Sequence, residues 1–418
     1  MKLVLGLAAL LTVASAAVSR PKDQKVSYDG YKVYRVAVAH EVNKVNNIVK
    51  DLGLSTWKGA PRAGAFSDIV VPPTQVDAFT KAIAGLDAEV MHEDLGASIA
   101  EESTFQTYAA TSVNATWFNS YHTYADHLQW ISDLQAQYPG NSEVVTAGKS
   151  LNGNAITGIH FWGSAGKGVK PAVVFHGTVH AREWTVEYMA YNLLTSYNSS
   201  TEIKGFVDKY DFYMFPVVNP DGFIYTQTTN RLWRKNRQST SGSTCVGHDI
   251  NRNWPFQWSV TGGASTDPCA EDFKGLAQSD APETTALASW LKTVKANQGL
   301  KLFIDWHSYS QLFMTPYGYS CTAVAAKNTE LQALAKGAVA AIKAVHGTSY
   351  SYGPICTTIY KATGSSVDYV NDVVGSDYTF TSELRDTGTY GFVLPASQIL
   401  PTADEAYAGV RYLLLNMK

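Results

Sequence analysis

Charge is scarce in this chain. Only 17% of its 418 residues are Asp, Glu, Lys or Arg, and 36 acidic residues nearly cancel 33 basic ones. A formal net charge of -3 leaves no global positive field to draw the protein to nucleic acid or to an anionic membrane, so no partner of either kind is expected. Cysteine is scarcer still, with four residues and no C-x-x-C, which argues against a small disulfide-stapled scaffold and against a structural zinc held by all four. Long apolar runs are also missing. The longest, Leu3 to about Ala14, falls well short of the roughly 20 residues that span a bilayer. Internal repeats and low-complexity tracts are absent. Basic residues have a local gap of their own, with no Lys or Arg from Ala82 to Gly148.

The chain does have length and apolar content, 45% hydrophobic and 12% aromatic, enough for one large domain or two modest ones with a sizeable core. Its first residues place Lys2 ahead of the apolar run and end in Ala14-Ser15-Ala16, the pattern of a cleaved secretory signal over 1–17. Secretion puts Cys245, Cys269, Cys321 and Cys356 in an oxidising setting. Proximity favours Cys245 with Cys269 and Cys321 with Cys356, although spacing alone allows three pairings. Asn114 and Asn198 begin N-x-[ST] sequons and are candidate glycosylation sites.

Periodicity divides the rest in two. From Tyr31 to about Asp94, YKVYRVAVA and FSDIVVP read as strands, and VNKVNNIVKDLGL and VDAFTKAIAGL as helices, making a small α+β unit. About Ala97 to Asn119 has no convincing period and reads as a linker. From about Tyr121 onward, apolar strands such as PAVVFHG and LKLFIDWHS alternate with helices, including one marked by Val186, Ala190, Leu193 and Tyr197. A last helix is expected to start at a capping box formed by Thr402 and Glu405. Such alternation implies an α/β domain with a mixed central sheet, whose ligands gather at the carboxyl ends of strands.

Chemistry-bearing residues fall at those ends. His180 and Glu183, separated by two residues in HGTVHAREW, can converge on one Zn²⁺ but supply only two of the three ligands of a catalytic site. Chance alone predicts about one such pair in this composition. His307 closes another apolar strand, where a side chain would emerge into the same region, although a lone strand-end His is more often a hydrogen-bonded structural residue than a ligand. His176, nearer the strand body, is assigned to packing. Read alone, Glu383 in FTSELRD is half of a surface pair with Arg385, NRN is a loop tripeptide, and Arg231 is a solvated helix charge.

Taken together, HAREW, LWRKNR, DINRNW, DWHSYSQ, IYKATGSSVDY and FTSELRDTGTYGF stand in the order and rough spacing of the secreted metallocarboxypeptidases of the A/B type, which the segment from Tyr121 to Lys418 resembles. The part before it looks like their inhibitory activation domain. The resemblance implies a carboxypeptidase A-like fold, a mixed sheet flanked by helices, preceded by an α+β open-sandwich activation domain. It divides the chain into a signal (1–17), an activation domain with linker (18–110) and a catalytic domain (111–418). It implies one Zn²⁺ on His180, Glu183 and His307, Asp249 orienting a liganding imidazole, Glu383 as general base and acid, and Arg234 as the group that polarises the scissile carbonyl. Asn251, Arg252 and the mobile Tyr360 would hold a terminal carboxylate, with Arg182, Arg231, Tyr309 and Phe392 at more distant subsites.

Specificity turns on Val367, where basic-preferring relatives carry an Asp. Val367 cannot pair with Lys or Arg, and burying an unpaired ammonium costs several kcal/mol. Ile355, Ala362, Met314 and Gly318 should line the same pocket, so aromatic or branched aliphatic termini are expected; Asp368 occurs in both specificity classes and does not discriminate. The expected protein is a secreted, monomeric proenzyme acting on peptide and protein C-termini. Its mature chain is expected to begin near Tyr108 to Val113, after a cut by an endopeptidase that is not trypsin-like or by autonomous activation. Two rivals are a regulatory branch processing basic termini, opposed by Val367 and by the chain ending after its last helix, and an inactive binding module, opposed by the intact His180, Glu183, His307 and Glu383.

Overall fold

A computed structural model describes residues 24–58, 62–102, 108, 113–184 and 188–418. The expected signal segment, most of the expected maturation region and Val186 lie outside these residues.

In the front unit, β1 (Lys32–Ala37), β2 (Ser55–Thr56), β3 (Phe66–Val71) and β4 (Ala88–His92) form an antiparallel sheet in the order β2-β3-β1-β4. The two-residue alternation of its strands gives each face a separate task. Tyr34, Val36, Ile69 and Val71 pack against α1 (Val42–Asp51) and α2 (Val76–Ala82) through Val45, Ile48, Phe79 and Ile83. Val33 and Val70 point the other way and, with Trp57, bury against Leu232, Tyr309, Phe392 and Val393 of the large domain.

The expected linker is shorter than its composition suggests, because α3 (Leu95–Glu102) occupies its start. Asp94 accepts from the Ala97 amide at its N-terminus, and Leu95 is fully buried in the interface.

The large domain holds an eight-stranded mixed sheet in the order β11-β10-β12-β9-β7-β8-β6-β5. In chain order its strands are β5 (Ser142–Lys149), β6 (Ala155–Phe161), β7 (Ala172–Gly177), β8 (Asp211–Phe215), β9 (Leu300–Ser308), β10 (Leu312–Thr315), β11 (Ser351–Pro354) and β12 (Tyr378–Leu384). β12, β9, β7 and β8 run parallel, so their carboxyl ends share one side. Buried on both faces, β7, β8 and β9 are largely apolar, whereas β12 is equally buried but carries Thr379, Thr381, Ser382 and Glu383. Val173, Phe175 and Ile304 face α4 (Tyr124–Gln137), α5 (Tyr188–Ser196), α6 (Thr201–Lys209), α9 (Asn328–His346) and α12 (Ile399–Asn416). Val174, Phe303 and Phe215 face α8 (Pro282–Gln298) on the other side. The remaining helices, α7 (Pro220–Thr228), α10 (Ile355–Thr358) and α11 (Ser366–Tyr369), are short.

The capping box expected at Thr402 is not formed. α12 begins three residues earlier, at Ile399, the Thr402 hydroxyl donates to the Gln398 carbonyl, and Glu405 is fully buried in an ion pair with Arg385. The disulfides are Cys245–Cys269 and Cys321–Cys356, as proximity suggested. The first closes a loop containing Asp249, Asn251 and Arg252. No helix among the described residues is long and apolar enough to cross a membrane.

Candidate active site

Three chain segments meet at the carboxyl ends of the central strands. The loop leaving β7 carries His180 and Glu183, the end of β9 carries His307, and the end of β12 carries Glu383, in register with His307 across the parallel pair. The ligand-capable atoms of His180, Glu183 and His307 lie within 4.8 Å of one another, and all three residues are buried. Glu183 Oε1 is 2.7 Å from His180 Nδ1 and its Oε2 2.7 Å from His307 Nδ1. Two imidazoles, each converging through one nitrogen with the other engaged elsewhere, and a carboxylate oxygen suit a tetrahedral zinc with an open fourth position.

Those second nitrogens meet carboxylates. His180 Nε2 is 3.2 Å from Asp249 Oδ1, and His307 Nε2 is 3.0 Å from Asp305 Oδ1. Such partners fix the tautomer that leaves Nδ1 free for a metal. Asp249 also braces its own turn, since Oδ1 accepts from the Asn251 amide. Its other oxygen accepts from Arg234 Nη2 at 2.8 Å. Burial opposes ionisation of Asp249, but Arg234, His180 and Arg252 outweigh it and hold the carboxyl well below its usual range. Burial likewise disfavours charge on His307, yet Asp305 and Glu183 raise its pKa well above the ordinary value. A cation entering here therefore displaces a proton.

Asp305 was missed from sequence, although a signal existed: in DWH it stands two residues before His307 on one strand, hence on the same face. It also lies 3.0 Å from His176 Nε2, so His176, buried edge-on against Phe303, belongs to the packing behind the site.

Glu383 does not pair with Arg385. It lines a small cleft of about 40 Å³ with His180, His307, Arg252, Tyr360, Met314, Ile355, Ala362 and Val367, while Arg385 turns to Glu405, 2.8 Å from Nε to Oε2. Enclosure and the neighbouring Glu183 carboxylate push the Glu383 carboxyl up to about 8. Gly318 stands behind this cleft, packed against Ile355 and Ala362, and its amide donates to Asp368. Arg252 is buried, its Nη1 donating to the Asn251 carbonyl while its Nε has no partner among the described residues, and Asn251 Nδ2 lies 3.2 Å from His307 Nε2.

The residues expected at more distant subsites are all engaged with the front unit. Arg182 donates to the Trp57 carbonyl at 2.8 Å, Tyr309 donates to Asp68, and Phe392 packs on Trp57. Arg231 is no solvated charge. It forms a buried two-point pair with Glu102, at 2.6 and 2.7 Å.

A family model described as zinc carboxypeptidase matches residues 127–409, and one described as carboxypeptidase activation peptide matches residues 34–102. The chain belongs to the zinc carboxypeptidases. Metallocarboxypeptidase A of Arthroderma otae is 49% identical over 99% of each chain, and carboxypeptidase A2 of Rattus norvegicus is 36% identical over 94% of this chain and 95% of its own. The structure of thrombin activatable fibrinolysis inhibitor superimposes with a TM-score of 0.86 at 28% identity, covering 92% of this chain and 98% of that one. This zinc carboxypeptidase is an A-type peptide hydrolase that carries its activation segment, with the A-like fold expected from the sequence.

Proposed function

We propose that this zinc carboxypeptidase is a secreted, monomeric proenzyme that removes aromatic or branched aliphatic C-terminal residues, with 1–17 as signal, 18–110 as activation domain and linker, and 111–418 as catalytic domain. The observation that carries the preference is the cleft beside Glu383, whose far wall is Met314, Ile355, Ala362 and Val367, with no carboxylate at Val367 to pair a basic side chain. Asn114 and Asn198, both exposed, suit glycan attachment after secretion.

His180, Glu183 and His307 hold the metal in this reading, and zinc, when bound, supplies a Lewis acid that makes a water-derived nucleophile available near neutral pH. Glu383, with its raised pKa, takes the proton of the attacking water and returns it to the departing amine. Arg234, anchored on Asp249, offers its guanidinium to the carbonyl oxygen as negative charge develops. Arg252 binds the terminal carboxylate with Asn251, and the Tyr360 hydroxyl closes over it.

The test is release from two blocked dipeptides, one ending in Phe and one in Lys, by the matured chain with and without a zinc chelator. Chelator-sensitive release of Phe in preference to Lys is expected. Preferential release of Lys would overturn the pocket reading, and release of neither would overturn the enzymatic one.

A further inference from the structure

The fourth parallel strand, β8, also ends on the side of the site, and the turn that leaves it reads NPDG in the sequence. Asn219, the first residue of that turn, is fully buried and caps α7, with Pro220 at the first helical position. Its Oδ1 accepts from the Gly222 amide at 3.1 Å. Its Nδ2 donates to two backbone carbonyls, Val179 at 3.0 Å and Lys235 at 3.2 Å. Val179 immediately precedes His180, and Lys235 immediately follows Arg234. Both amide hydrogens and the amide oxygen are therefore engaged, and only this orientation serves, because a flipped amide or an Asp would set an oxygen against two carbonyls.

Arg234 is thus held at both of its ends. At the tip, Asp249 accepts from Nη2 at 2.8 Å. At the root, the Ala181 amide donates to the Arg234 carbonyl at 2.9 Å, and Asn219 takes the next carbonyl along. Helix α7, the His180 loop and the Arg234 segment meet there without room for a methyl group. A Cβ added to Gly222 would lie 2.6 Å from the Lys235 carbonyl oxygen, 2.7 Å from Asn219 Nδ2 and 2.8 Å from the Ala181 Cβ. Asn219 stands apart from the cleft beside Glu383, whose lining it does not share.

We propose that Asn219 is a positioning residue for peptide hydrolysis: by tying the carbonyl before His180 to the carbonyl after Arg234, it fixes where the guanidinium meets the scissile carbonyl oxygen. It touches no reacting atom and acts through Arg234, so the inference rests on the role proposed for that residue. A donor aimed at developing oxyanion charge stabilises the transition state more than the bound substrate. Displacing its root therefore lowers kcat and leaves KM nearly unchanged.

Two variants of the zinc-loaded mature enzyme disturb the junction in different ways. Asn219→Ser keeps an oxygen to cap α7 and removes the tie between the two carbonyls, whereas Gly222→Ala leaves Asn219 in place and drives a methyl into the contact. Unfolding midpoint and zinc content are measured for each, and kcat on a peptide ending in Phe is expressed per folded, zinc-loaded chain. In each folded variant kcat should fall at least about tenfold, the scale of a small misplacement of a catalytic group, with KM little changed. Arg234→Gln removes the group that Asn219 positions, so adding either change to it should lower kcat by less than about threefold more. A residue that only supports the fold would give the same loss in both backgrounds. Equal losses with and without Arg234, an unchanged kcat, or a loss confined to KM would each overturn the proposal while leaving the reading of Arg234 intact. Parental kcat in Arg234→Gln itself would overturn that reading and the proposal together.

Discussion

Each imidazole at the proposed metal site is gripped from behind by a carboxylate, and the two grips differ in reach. Asp249 divides itself between His180 and Arg234, whereas Asp305 lies 3.0 Å from both His307 and His176. Removing an outer partner of this kind costs about 10–100-fold in metal affinity, and removing a ligand should cost more. Competition against a chromophoric chelator is therefore expected to rank Glu183→Ala below Asp305→Asn and both below the parent chain. Zinc affinity unchanged in Glu183→Ala would remove it from the ligand set.

Asp368, beneath the specificity cleft, makes a second residue-level prediction. Its carboxylate accepts from the Gly318 and Tyr319 amides, but burial dominates and raises the pKa from 3.8 to about 7. The folded chain therefore binds a proton that the unfolded chain has released between those values, so this group's stabilisation is complete below pH 3.8 and is lost as pH rises towards 7. Asp368→Asn cannot titrate, and its unfolding midpoint should fall less than the parent's between pH 5 and pH 7.5. Equal falls would mean that the two amides keep Asp368 ionised. Residue types and local spacing made the ligands legible in the sequence, but not the pairings across distance. Glu383 and Arg385 look like neighbours on one strand face until β12 ends at Leu384 and Arg385 turns towards Glu405, 20 residues away.

Among the elements, α3 shows both how much local pattern reveals and where it stops. Strands with unbroken apolar runs and helices with a clear 3.6-residue period were readable because their burial is one-sided or complete. α3 was not, because LGASIAEE buries only Leu95 and Glu102 and the rest of its short surface is solvated or partly covered. A buried glutamate at a helix end is invisible without Arg231, 129 residues away. That pair clasps the activation segment to the catalytic body: Arg231 also donates to the Arg182 and Phe392 carbonyls and stacks over Trp184 at 3.8 Å. Breaking a buried ion pair by removing one partner costs about 3–5 kcal/mol. Glu102→Gln should loosen docking of the activation segment, raising the uncut proenzyme's hydrolysis of a peptide ending in Phe by at least about tenfold and lowering its unfolding midpoint. Unchanged hydrolysis would mean that the β1–β3 face, through Trp57, Arg35 and Asp68, holds the segment by itself.

At the scale of the whole molecule, the two domains are joined across a stretch that trypsin cannot enter. The basic residues bounding it are Lys81, exposed in the last turn of α2, and Lys149, exposed at the end of β5. Cleavage after Lys81 leaves β4 and α3 on the catalytic side, with Glu102 still on Arg231 and β4 still hydrogen-bonded to β1. Cleavage after Lys149 cuts the catalytic sheet at its edge, between β5 and its partner β6. Neither product is a freed catalytic domain. Limited trypsin treatment is therefore expected to give no chain beginning between 83 and 149 and little gain in hydrolysis of a peptide ending in Phe. An endopeptidase that cuts after aromatic residues can act at Phe105 or Tyr108, beyond α3, and should release the whole clasp with a large gain. N-terminal sequencing of both products alongside the assay decides it: active enzyme from a single tryptic cut would show that undocking needs only the sheet opened at β4, not withdrawal of Glu102 from Arg231.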